Sequence, residues 1–277
     1  MKSRIIVALV FVPLLFVVLF FLPPYALAAV IALVCAVSAF EMISAIGAKE
    51  NKSVMVYAVV SAILIPAGVY FGFSEFVFMA IFLLLMCVVF IEAIISFRTN
   101  RHISFAQILT ALFAGTIIPL LLSTLVSLKN MQQGHLFVLL PIVSTFITDA
   151  GAYFVGVFLG KHNAFPQISP KKTVEGFLGG IAIGTAAVII YGVILKHTTP
   201  HEVRFWALAI YGFAGAVVTE LGDLAFSLIK REFDIKDFGR ILPGHGGMLD
   251  RFDSMVFAAP AMYLMVSAIP AVILTNP

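Results

Sequence analysis

Long apolar runs, broken by short polar or proline-containing segments, recur along almost the whole chain. About 20 mostly apolar residues suffice for a helix to cross a bilayer. By that measure the pattern predicts nine spans: Ile5–Leu22, Tyr25–Ile46, Val54–Phe73, Phe76–Phe97, Ile103–Leu128, His135–Leu159, Gly176–Leu195, Arg204–Arg231 and Phe252–Leu274. Pro23-Pro24 separates the first two, because proline cannot continue a helical hydrogen-bond ladder. The first span is flanked by Lys2 and Arg4 and followed by Ala26-Leu27-Ala28, which mimics a signal cleavage site. Its apolar core is longer than that of a usual signal and further spans follow, so it is expected to be retained.

Composition supports the pattern. Of 277 residues 62% are apolar and only 11% charged, with a mean hydropathy of +1.11. Soluble domains carry about a quarter charged residues. A cytosolic enzyme, a disordered chain and a collagen-like chain are thereby excluded. The expected fold class is an all-α, polytopic integral membrane bundle. Cys35 and Cys87, both within apolar runs, are read as buried packing residues rather than as a disulfide or metal pair. A net charge of +3 gives no basic field for nucleic acid.

The cations set an orientation. With the N-terminus inside, the inner segments hold Lys2, Arg4, Lys49, Lys52, Arg98, Arg101, Lys161, Lys171, Lys172, Lys230, Arg231, Lys236, Arg240 and Arg251, against Lys129, Lys196 and Arg204 outside. This 14-to-3 split predicts a cell-membrane protein with its C-terminus outside and its polar loops in the cytoplasm. Ten of the 14 acids lie between Asp149 and Asp253. Residues 1–128 are therefore expected to be packing helices, and residues 129–277 the working part, with inner loops 160–175 and 230–251.

An ionised carboxylate in hydrocarbon is costly unless paired, hydrated or metal-bound. Glu220, Asp223 and Ser227 share one helical face of the eighth span, and the stripe runs on to Lys230 and Arg231. Asp250, Asp253 and Ser254 repeat the spacing at the start of the ninth, and Asp149 adds a fifth acid in the sixth. These acids could simply pair with Lys230, Arg231 and Arg251. Five of them converging on the inner half of three spans instead favours a shared cation. Oxygen-only ligands suit a hard ion, Mg²⁺ when phosphates are also present, as one or two divalent ions with a monovalent cation also admissible. Glu41 and Glu92, near inner span ends, are expected to snorkel or to meet Lys49 or Arg98, without a functional role.

Ser169-Pro170-Lys171-Lys172-Thr173-Val174-Glu175-Gly176 opens the seventh span. Its hydroxyls, lysines and free helix-start N–H groups suit phosphate, with headgroup snorkelling as the plainer role for the two lysines. Thr173 and Glu175 lack the spacing of a capping box. Gly176, Gly180 and Gly184, like Ala152, Gly156 and Gly160, recur every four residues and read as close helix packing. The longest inner loop, 232–251, contains Gly244, His245, Gly246 and Gly247, which suit a phosphate cradle but form neither a P-loop nor a dinucleotide fingerprint. Together these residues describe phosphate chemistry by positioning and charge neutralisation, without a protein nucleophile.

The run from Ser227 through Lys230-Arg231, Lys236-Asp237-Phe238-Gly239 and Leu242-Pro243-Gly244-His245-Gly246-Gly247-Met248-Leu249-Asp250-Arg251-Phe252-Asp253 resembles the signature of phosphatidate cytidylyltransferases. The Ser169–Gly176 segment and Thr148-Asp149 resemble further blocks of that family. The resemblance implies transfer of the cytidylyl group from CTP to phosphatidic acid. It makes Asp223 and Asp250 the leading metal ligands, with Glu220, Asp253 and Asp149 behind them. Lys171, Lys172, Lys230, Arg231 and Arg251 become phosphate clamps, with Asp237 and His245 organising the loop; Ser169, Thr173, Ser227, Lys236, Gly246 and Gly247 complete the substrate-binding set. The expected partners are CTP, phosphatidic acid and membrane lipid, with room for a homodimer. Three rival readings are weighed. A CTP-dependent lipid kinase would release CDP, a CDP-alcohol phosphatidyltransferase would need a DGxxAR arrangement that is missing, and an ion-coupled transporter would carry polar residues through the full membrane depth.

Overall fold

A computed structural model describes residues 17–20, 22–46, 51–99, 102–241 and 246–273. Seven of its helices are long and apolar enough to cross a membrane: Pro24–Ala45, Lys52–Tyr70, Glu75–Ser96, Phe105–Asn130, Gly134–Leu159, Val174–Thr198 and Phe205–Glu232. These coincide with the second to eighth expected spans and make the protein a polytopic helical membrane protein. Residues 5–16 and 21 of the first expected span lie outside the described residues. The ninth is a helix, Leu249–Ala268, but Asp250, Arg251 and Asp253 in its first turns leave it short of a spanning apolar stretch.

The chain packs as two compact units, residues 1–132 with 232–252, and residues 133–231 with 253–277. In the first, α1 (Pro24–Ala45) starts on a helix-compatible proline at its first position. Helix α2 (Lys52–Tyr70) ends in a Schellman motif: Phe73 N–H reaches Gly68 O at 2.9 Å and Gly72 N–H reaches Val69 O at 3.2 Å, with Gly72 at φ +70°. Helix α3 is Glu75–Ser96. The fourth span opens on a Ser104/Gln107 capping box and comprises α4 (Phe105–Leu112), a π-turn (Phe113–Ile117), α5 (Ile118–Leu122) and α6 (Thr124–Asn130). Cys35, Ala39, Ile43, Ala58, Ala62, Ala111 and Ala114 are fully buried in this unit. Helix α3 buries only Leu85 and Val89 and turns Phe76, Met79, Leu84, Ile94 and Ile95 outward, as a lipid-facing helix does. Cys35 is buried as expected, whereas Cys87 is exposed on α3; both thiols are free.

The second unit holds α7 (Gly134–Phe137), α8 (Leu139–Leu159), α9 (Val174–Thr198), α10 (Phe205–Glu232) and most of α11 (Leu249–Ala268). Small residues let these helices approach closely. A Cβ on Gly176 would lie 2.8 Å from Ala152 O, one on Gly180 2.9 Å from Ala152 Cβ, and one on Gly222 3.1 Å from Ser254 Cα. The every-fourth-residue glycines are thus packing glycines. The segment between α8 and α9, expected as a plain loop, is a β-hairpin of β1 (Asn163–Phe165) and β2 (Ser169–Thr173), paired Asn163↔Thr173 and Phe165↔Ser169. A second short pair joins β3 (Glu202–Val203) to β4 (Val272–Ile273) just past Pro270, where α11 has ended.

Candidate active site

Strand β2 and three helices of the second unit enclose a cleft of about 380 Å³, within the roughly 300–1,000 Å³ usual for small-molecule sites. Asp149, Tyr153, Gly156 and Val157 come from one face of α8, Ser169, Lys171, Lys172 and Thr173 from β2, Phe177 from the start of α9, and Glu220 and Asp223 from α10. Thr173 caps α9, its hydroxyl accepting Gly176 N–H at 3.1 Å, which fixes the strand-to-helix corner. Glu175 secures the same corner, accepting the N–H groups of Lys161 at 3.0 Å and His162 at 3.2 Å and contacting His162 Nδ1 at 2.6 Å.

Residues 171 and 172 point to opposite faces of the strand. Lys171 is exposed at the cleft. Lys172 turns inward, its Nζ 2.5 Å from Glu220 Oε2 and 2.7 Å from Asp223 Oδ2. Burial alone would lower the Lys172 pKa, but Asp223 and Glu220 outweigh it and raise it above the ordinary lysine value. The ammonium therefore stays charged at physiological pH. Glu220 is 0% exposed and its Oε1 has no hydrogen-bond partner among the described residues. Farther along α10, the buried Lys230 lies 3.6 Å from the buried Asp253 of α11. Ser227, one turn beyond Asp223, is half-buried. Arg231 donates from Nε to Ile168 O at 3.1 Å and so braces the hairpin turn.

The remaining expected residues lie in the first unit. Asp250 Oδ2 accepts Phe238 N–H at 2.9 Å and Gly247 N–H at 3.0 Å, so this carboxylate folds the loop back on itself. Gly246, at φ +83°, makes the turn beside Asp250 and Asp237. Lys236, Asp237 and Arg251 are exposed. His245 lies outside the described residues. Glu41 departs from expectation: it neither snorkels nor faces solvent. It is 2% exposed, and its Oε2 accepts Leu249 N–H at 2.9 Å.

Among the described residues no three His, Cys, Asp or Glu side chains are grouped closely enough to cage a metal. Mg²⁺ does not need such a cage, since it binds through one or two carboxylates plus waters and substrate phosphates. The donor chemistry fits: the acids are hard oxygen ligands, and Asp149 and Asp223 open into the cleft. Lys172 meets both Glu220 and Asp223, but Glu220 fits less well as a ligand because it is fully buried, whereas Asp223 is partly exposed.

A model of the cytidylyltransferase family matches residues 2–269. The phosphatidate cytidylyltransferase of Bacillus subtilis (strain 168) is 43% identical over 143 residues, 51% of this chain and 52% of that protein. The enzyme of that name from Mycobacterium tuberculosis (strain ATCC 25618 / H37Rv) is 37% identical over 165 residues, 60% of this chain and 49% of the other. The one from Staphylococcus saprophyticus is 39% identical over 138 residues, 50% and 52% respectively. The matches thus cover about half the length of these curated relatives.

Proposed function

The chain belongs to the cytidylyltransferase family, and from that premise we propose that it transfers the cytidylyl group of CTP to phosphatidic acid, giving CDP-diacylglycerol and pyrophosphate. The observation that carries this reading is the cleft in which Lys171 and Lys172 stand beside Asp149, Asp223 and the hydroxyls of Ser169 and Thr173. A site that binds two polyanions needs cations to offset their repulsion and acids to recruit a metal.

An oxygen of the lipid phosphate forms a bond to the α-phosphorus of CTP. The bond from that phosphorus to the bridging oxygen of the β-phosphate breaks, and pyrophosphate leaves with the electron pair. Lys171 binds phosphoryl oxygens from the open side of the cleft. Lys172, fixed by Glu220 and Asp223, presents a permanent positive charge from the closed side. Mg²⁺, held by Asp223 with Asp149 or Asp253, would neutralise triphosphate charge when bound. The 232–251 loop of the other unit carries Asp250 and Arg251. The cation split of the sequence supports a cleft that faces the cytoplasm, where CTP is available, and the exposed Phe154 gives α8 an apolar side suited to lipid.

The test is purified protein with phosphatidate and CTP labelled at the α- or γ-phosphate. Label from the α-position should enter lipid with equimolar pyrophosphate release. Lipid labelled only from the γ-position, with CDP released, would instead identify a CTP-dependent lipid kinase.

A further inference from the structure

A glutamate at 2% exposure within an apolar helix is expensive unless its oxygens are used. Glu41 of α1 uses one on the far end of the sequence. Oε2 accepts the backbone N–H of Leu249, the first residue of α11, at 2.9 Å. Helix starts have orphan N–H groups and a positive dipole end, and both favour an anion there. Glu41 is thus a helix cap supplied from another helix, about 200 residues away in sequence.

The loop before α11 is shaped around the same carboxylate. A Cβ on Gly239 would collide with it, and a Cβ on Gly247 would stand 2.5 Å from Oε2. Neither glycine has a positive φ; among the described glycines only Gly72 and Gly246 do. Gly239 and Gly247 are therefore glycine for clearance rather than for backbone freedom, and the object cleared is Glu41. Asp250 works from the other side, accepting Phe238 and Gly247 N–H. Phe238, Met248 and Leu249 are buried where the loop closes down.

We infer that Glu41 is the positioning residue that holds the 232–251 loop and the start of α11 in register, with Gly239 and Gly247 kept free of side chains to admit it. For activity this rests on the cytidylyl-transfer reading, because the loop carries Lys236, Asp237, Asp250 and Arg251. Glu41 acts through the loop and does not itself meet substrate.

The test uses the full chain in detergent or nanodiscs, with E41A, E41Q, G247A and the E41A/G247A double variant. Hydrogen exchange is followed at the Phe238, Gly247 and Leu249 amides, and kcat and KM for CTP by lipid labelling. In E41A, exchange at these amides should rise at least about tenfold, and kcat should fall about tenfold or more with KM moving less. E41Q keeps a carbonyl oxygen for Leu249 and should recover most of the protection and rate. G247A should reproduce the E41A exchange, yet add no further loss in the E41A background, where the obstructing carboxylate is gone. Unchanged exchange in a folded E41A, or additive losses in the double variant, overturns the assignment. If E41A does not fold, G247A against E41Q decides on the same readouts. A wild-type protein that transfers no cytidylyl label refutes the functional reading, while the exchange arm still judges Glu41.

Discussion

The Lys172 ammonium, carried on a β-strand, sits 2.5 Å from the fully buried Glu220 carboxylate of α10 and 2.7 Å from Asp223 beside it. One cation thus serves two acids, and the Oε1 of the more deeply buried acid has no hydrogen-bond partner among the described residues. Lys172 is part of what allows Glu220 to exist inside the helix bundle, as well as part of the cleft wall.

Removing Lys172 should therefore cost stability as well as turnover. Lys172→Ala strands a buried carboxylate, and breaking a buried pair from one side typically costs about 3–5 kcal/mol. The double change Lys172→Ala with Glu220→Gln should recover most of that stability without recovering activity. Denaturant or thermal unfolding of the detergent-solubilised variants reads the first effect, and lipid labelling the second. Equal stability of Lys172→Ala and wild type would show that the pair does not hold Glu220.

Lys171, its neighbour, separates the two roles. It is exposed at the cleft, so Lys171→Ala should leave the unfolding transition unchanged. A lost phosphate contact should raise KM for CTP or phosphatidate by roughly tenfold, the cost of about one charge-assisted hydrogen bond. Unchanged kinetics would return Lys171 to headgroup snorkelling.

Asp223→Asn should abolish Mg²⁺-dependent turnover while the protein stays folded, because Asp223 opens into the cleft, whereas Asp250 holds the 232–251 loop. Asp250→Ala should accelerate hydrogen exchange at Phe238 and Gly247, the two amides its Oδ2 accepts, whereas Asp223→Ala should not. Matching exchange in the two alanine variants would remove the loop-holding role of Asp250. Retained turnover in Asp223→Asn would remove that acid from the metal site.

The membrane class and seven helices were legible because hydrocarbon demands long apolar runs, a signal that survives in sequence as plain length. The grouping of Asp149, Glu220, Asp223 and the two lysines was legible because charges inside such runs need a reason. The same rule pointed to Glu41, but Glu41 stands alone in its helix, and its partners are backbone N–H groups rather than side chains. Backbone partners leave no residue-type signature, so a tertiary cap such as Glu41 on Leu249 cannot be paired by inspection. The hairpin at 163–173 was hidden for a related reason: its strands are three and five residues long, too short for a period-two pattern to emerge beside Pro170. Glycines divided by cause. Gly180 was readable from its spacing, whereas Gly247 needs the position of a carboxylate two hundred residues upstream.

Gly180 and Gly72 test that division directly. A Cβ on Gly180 would stand 2.7 Å from Glu220 Oε1, 2.9 Å from Ala152 Cβ and 3.0 Å from Thr148 O. Gly180→Ala should therefore overpack α8 and α9, at about 1–3 kcal/mol. Because one of the displaced atoms belongs to Glu220, the shift should pass to Lys172 and lower kcat as well. Gly72 is the opposite case: a Cβ there meets nothing within 4 Å, but φ is +70°. Gly72→Ala should cost about 1–2 kcal/mol through left-handed backbone strain alone, with turnover untouched since Gly72 belongs to the first unit and the cleft to the second. Unfolding and lipid-labelling assays on both variants check the contrast. A Gly180→Ala protein with normal kcat would mean that Glu220 does not transmit packing to the lysine.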